Sequence, residues 1–119
     1  MNTKELLEKY FEALKNKNAS ELENLFNADA VVETPVGDFN TRENFLTDFK
    51  TDRWKLSDFQ LMKIMVDGDD GCVIYQAQST DSAIGTLIFA DWVTAKEGKV
   101  QAVVSNFDAT PFRFAMAQI

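Results

Sequence analysis

The sequence predicts one α+β domain, with helices first and a strongly curved antiparallel sheet after them. Three observations carry that expectation. Apolar residues recur at helical spacing in the first part of the chain, and from Trp54 onward the period changes to an imperfect alternation over four long segments. Glycine-containing turns separate two pairs of those segments, the mark of consecutive strands folding back on one another. A chain of 119 residues, 45% hydrophobic and 26% charged, fits a single domain with a single core. At that size about 65% of the unfolded surface can be hidden.

The elements follow in order. Leu6, Leu7, Tyr10, Phe11 and Leu14 give residues 3 to about 16 an apolar stripe, so a first amphipathic helix is expected there. Asn16-Lys17-Asn18 ends it, and Ser20-Glu21-Leu22-Glu23 reads as a capping box with Ser20 as the cap of a second, shorter helix. Ala30 to Val36 reads as a strand that Pro35 and Gly37 bring to an end or an edge. Thr41 caps a third short helix anchored by Phe45, Leu46 and Phe49. Strands are expected over residues 55–66, 71–80, 83–95 and 99–108, with hairpin turns at Asp67–Gly71 and at Lys96-Glu97-Gly98. The tail, Thr110 to Met116, is apolar enough to dock on the rest of the domain.

Charge and composition exclude several classes of function. The net charge is −7 and the basic residues are scattered, which argues against nucleic acid and against anionic membrane surfaces. The N-terminus runs straight into an amphipathic acidic helix and lacks the form of a secretory signal. The longest apolar stretch, Ala83 to Val93, is too short to span a bilayer. A lone Cys72 suits a reducing cytoplasm. The chain has no histidine, so acid–base chemistry would fall to Asp, Glu, Tyr, Lys or Cys. No residue cluster implies a metal or an organic cofactor.

One strand stands out. Thr86-Leu87-Ile88-Phe89-Ala90-Asp91-Trp92-Val93 carries a carboxylate on the same face as Leu87, Phe89 and Val93. An ionised carboxylate there is costly to desolvate, so a raised pKa or dedicated donors are expected. Groups perturbed in this way gather at functional sites. Tyr10 lies on the apolar stripe of the first helix, where a core tyrosine is common. A purely structural pairing of the two satisfies the same pattern. Glu33 lies on the face opposite Val32, Thr34 and Val36 by simple alternation, and a bulge before Pro35 would be needed to turn it inward.

Two stretches are similar to a known family. Glu8-Lys9-Tyr10-Phe11-Glu12-Ala13-Leu14-Lys15-Asn16, followed by Leu25-Phe26-Asn27-Ala28-Asp29-Ala30-Val31-Val32-Glu33-Thr34-Pro35-Val36-Gly37, resembles the opening of NTF2-like proteins. The nearest resemblance is to their SnoaL-like and ketosteroid-isomerase branch. Asp91-Trp92, Gly98-Lys99-Val100 and Asn106 to Phe112 fall in register with it. The resemblance implies an NTF2-like (cystatin-like) cone: N-terminal helices packed on the curved sheet, with an apolar pocket between them. It also implies that Tyr10 and Asp91 match the two hydrogen-bond donors to a substrate oxygen, the aspartate being held protonated. The position of the isomerase's base is occupied by Thr34, which cannot abstract a carbon-bound proton. Glu33 is the candidate replacement.

The expected site therefore comprises Tyr10, Asp91 and Glu33 for catalysis, with Thr34, Phe89, Trp54 and Phe107 lining the ligand pocket. The favoured function is binding of a small hydrophobic, oxygen-bearing molecule in the cone. A cofactor-free isomerase or lyase with a non-standard base is the alternative. A non-catalytic accessory module is the third reading, and a homodimer is expected.

Overall fold

The computed structural model describes residues 1–117. Its elements run α1 (Thr3–Lys15), α2 (Ala19–Leu25), β1 (Phe26–Thr34), β2 (Gly37–Phe39), α3 (Arg42–Thr51), β3 (Leu56–Asp67), β4 (Asp70–Ser79), β5 (Thr86–Lys96), β6 (Lys99–Asn106) and α4 (Thr110–Ala117). The six strands form one sheet in the order β2-β1-β6-β5-β4-β3. The α+β class and the helices packed on a curved sheet are as expected. The sheet is not wholly antiparallel, however: β1 and β6 pair in parallel, so it is mixed and stays open at both edges. The first and last strands lie side by side although β2, α3 and β3 to β5 intervene between them in the chain.

Local chemistry explains where the helices begin. Asn2 accepts a hydrogen bond from the Glu5 N–H at 2.9 Å and starts α1. Thr41 accepts from the Asn44 N–H at 3.0 Å and starts α3, as its sequence suggests. The cap of α2 is Asn18, which accepts from the Glu21 N–H at 3.1 Å, and not Ser20, whose hydroxyl donates to Asn18 instead. The Asn side chain two residues earlier is already in place to take that N–H, so the Ser20 capping box does not form. The chain then enters β1 at Phe26, four residues before the expected strand start, because Phe26 is completely buried and continues from α2 without a loop.

The sheet curves around α1, and its registers show how. Irregularities interrupt the pairing between Phe26 and Val31, twice within β3–β4, and between Thr94 and Ala95. Each extra residue bends its strand and increases its twist. The concave side holds Leu6, Leu7, Tyr10, Phe11 and Leu14 of α1 against Val73, Tyr75, Ala77, Phe89, Val93 and Val103 of the strands. Gly71 packs directly against α1: a Cβ built there would lie 2.5 Å from Leu7 Cδ2 and 3.0 Å from the Met65 carbonyl oxygen. Phe112 of α4 is buried and packs edge-on against Trp54 and Phe107, so the tail docks as expected. No helix among the described residues is long and apolar enough to cross a membrane.

Candidate functional site

Strand β5 alternates cleanly, burying Leu87, Phe89, Asp91, Val93 and Ala95 while Ile88 and Trp92 face out. Asp91 is 1% exposed. Its neighbours across the sheet are Val73 on β4 and Ser105 on β6. The register therefore aims the Ser105 hydroxyl at it, and that hydroxyl donates to Asp91 Oδ1 at 2.6 Å. Two phenols complete the shell. Tyr10, from the buried stripe of α1, donates to Oδ2 at 2.8 Å, and Tyr75, from β4, donates to the same oxygen at 2.9 Å. Tyr75 is fixed in turn by Phe89, its ring stacked at 5.1 Å and 10°.

Two opposing effects set the electrostatics of this cluster. Burial pushes the Asp91 carboxyl above the ordinary carboxylate range, and the bonds from Ser105, Tyr10 and Tyr75 pull it back without cancelling the rise. Both phenols are held well above their usual range, first by burial and then by the adjacent Asp91 charge. No buried side-chain nitrogen or oxygen among the described residues lacks a partner.

The cluster forms part of the lining of a cavity of about 350 Å³ between the helices and the concave sheet. Tyr10, Asp91, Thr34, Phe89, Trp54 and Phe107 all line it. Phe89, Phe107, Phe112 and Trp54 form a continuous aromatic wall, with successive ring centroids 4.9, 5.2 and 5.3 Å apart. The Thr34 hydroxyl is engaged locally, donating to the Gly37 carbonyl at 2.6 Å and accepting from the Val36 N–H. It closes the β1–β2 turn.

Glu33 is not brought to the cavity. It is exposed on the outer face of β1, paired with Asp38 of β2 and with Val104 of β6. The bulge that would turn it inward is missing at that point, since the β1–β2 register runs without a break from Val32 to Thr34. The irregularity in β1 lies upstream, between Phe26 and Val31. Met62 and Met65 also face outward, whereas Met116 lines the cavity.

Four polar residues on the cavity wall were not singled out from the sequence: Tyr75, Ser105, Asp48 and Arg53. Tyr75 could have been found from the alternation of Gly71, Val73, Tyr75 and Ala77. Asp48 flanks the apolar stripe of α3, beside Phe45 and Phe49. Its carboxyl is pushed up by burial and drawn back by the Arg53 charge. The Arg53 guanidinium lies 4.7 Å above the Trp54 ring. No three metal-ligating side chains converge among the described residues.

A helix-lined cone on a curved open sheet, with a buried polar cluster inside it, defines the NTF2-like class of protein. Many solved structures share that fold, three of which illustrate it. An NTF2-like protein of unknown function from Cytophaga hutchinsonii superposes with a TM-score of 0.81 at 19% identity, over 95% of this chain and 96% of its own. A proposed ketosteroid isomerase from Kribbella flavida gives 0.79 at 20% identity, over 88% and 76%. An LEH-like epoxide hydrolase from M. tuberculosis gives 0.75 at 12% identity, over 96% and 88%. Identities this low speak for the fold alone. No curated protein matches the sequence. Residues 7–108 match the model of the SnoaL-like domain, and the chain belongs to that family.

Proposed function

We propose that the protein binds a small hydrophobic molecule carrying an oxygen function, with its apolar body in the cone and its oxygen at the Tyr10–Tyr75–Asp91–Ser105 cluster. One observation carries the reading: a fully buried carboxylate and three hydroxyls border an otherwise largely apolar cavity of about 350 Å³. Thr34, Phe89, Trp54 and Phe107 would form its walls. Native mass spectrometry with a panel of small apolar alcohols, phenols and ketones tests it. One-to-one complexes weakened by Tyr10→Phe are expected, whereas an empty pocket throughout the panel contradicts the reading.

A second reading is a cofactor-free isomerase or lyase, favoured by one further observation. With Glu33 on the outer face, Asp48 is the carboxylate besides Asp91 that lines the cavity, and burial raises its pKa. In that reading Asp91 is protonated, so that it and Tyr10 can donate to an oxyanion while Asp48 takes the proton. Turnover of a 5-ene-3-ketosteroid, lost in Asp48→Asn, is the expected result, and no turnover in the parent protein removes it.

We also infer a homodimer through the outer face of the sheet. Met65, Cys72, Trp92 and Val104 lie directly opposite one another across four strands, and Ile88 and Val31 add exposed apolar area beside them. The partially buried lone Cys72 is consistent with a cytoplasmic home.

A further inference from the structure

With Asp91 ionised, the cluster bordering the cavity offers only hydrogen-bond acceptors, and this narrows the ligand. A carboxylate has about four lone-pair positions, and a hydroxyl has a single O–H to give. Oδ2 of Asp91 already receives two O–H groups, from Tyr10 and Tyr75, and Oδ1 receives one from Ser105. While Asp91 is a carboxylate, each hydroxyl thereby commits its only proton to it. What the ionised cluster, whose four residues all line the cavity, has left to offer is one vacant position on Oδ1 and the lone pairs of three hydroxyl oxygens. A ketone, ester or ether oxygen arriving there meets no donor, whereas an O–H does.

We propose that the pocket selects a hydrogen-bond donor, an apolar phenol, enol or alcohol whose O–H points at Asp91, and discriminates against a carbonyl of the same shape. The inference rests on the binding function proposed above and names its ligand class. Discrimination of this kind is strong because a buried acceptor confronted by another acceptor loses solvation and gains nothing. Protonating Asp91 reverses the preference. The new carboxyl proton, or the Ser105 hydroxyl that it releases, becomes a donor for a carbonyl. The titratable groups facing the carboxyl are Tyr10 from α1 and Tyr75 from β4, both held neutral, with Cys72 of β4 close enough to feel its charge. Asp48 and Arg53, on the same cavity wall, are the other charged groups.

The test uses three probes with one ring body: 2-naphthol, 2-methoxynaphthalene and 2-acetonaphthone, titrated calorimetrically near neutral pH and again in acid short of unfolding. The donor 2-naphthol is expected to bind about tenfold or more tightly than either acceptor at neutral pH. In acid that advantage shrinks and the ketone gains. Asp91→Asn, which introduces an N–H₂ donor, removes the preference. Ser105→Ala, which frees a position on Oδ1 and leaves the charge, keeps it, so a misfolded Asn variant does not spoil the test. Binding of the ketone as tight as that of the naphthol at neutral pH overturns the donor inference and leaves the pocket standing. Failure of all three probes to bind overturns the pocket reading and this inference with it.

Discussion

At the scale of single residues, the decisive contest is between desolvating Asp91 and supplying it with donors. Three O–H groups at 2.6–2.9 Å make the buried charge tolerable, yet burial remains the larger effect and the carboxyl stays above its ordinary range. The sign of the linked stability follows. A carboxyl that is harder to ionise folded than unfolded contributes most below the ordinary carboxylate range, and that contribution is lost as pH rises through the raised folded value. Thermal melts of the parent protein against Asp91→Asn should therefore diverge in favour of the variant as pH climbs from acid toward neutral. A constant difference contradicts the assignment. Tyr10→Phe and Tyr75→Phe each remove a donor from a buried charge and should cost about 1–3 kcal/mol in urea unfolding. Their combination should be non-additive, because the two phenols share Oδ2.

At the scale of elements, strand alternation made half of the site legible. The run through β5 puts Asp91 on the buried face and the helical stripe of α1 buries Tyr10, while their pairing was implied by the family resemblance. Ser105 was hidden by register. Continued without a break from the Lys96–Lys99 pair, the hairpin would set Asp91 against Val104, and only the slip between Thr94 and Ala95 sets it against Ser105. A one-residue bulge has no reliable signature in side-chain pattern, and neither has a parallel pairing between strands as far apart in the chain as β1 and β6. Glu33 shows the converse: plain alternation put it outside, and the strand keeps that alternation. Glu33→Gln should change stability by no more than about 0.5 kcal/mol and leave ligand binding intact. Gly71→Ala should be far worse. Its methyl would meet the fully buried Leu7 at 2.5 Å and the Met65 carbonyl oxygen at 3.0 Å, so a loss of about 1–3 kcal/mol is expected from chemical denaturation.

At the scale of the whole molecule, the cone presents two opposed surfaces: a concave one that encloses the polar cluster and a convex one on which Trp92 is 52% exposed. Sedimentation should find a dimer at micromolar concentration that Trp92→Asp converts to monomer, with the buried cluster unaltered. Both tyrosines of the chain belong to that cluster, so their ionisation reports on the closed cone as a unit. Phenols held well above their usual range in the folded state contribute stability that is complete below about pH 10 and is lost as pH rises beyond it. An alkaline titration of tyrosinate absorbance, followed together with circular dichroism, is the most direct measurement. No tyrosinate should form near pH 10, and both phenols should ionise together with global unfolding at higher pH. One or both tyrosines titrating like a free phenol while the protein remains folded would contradict a buried aspartate held between them.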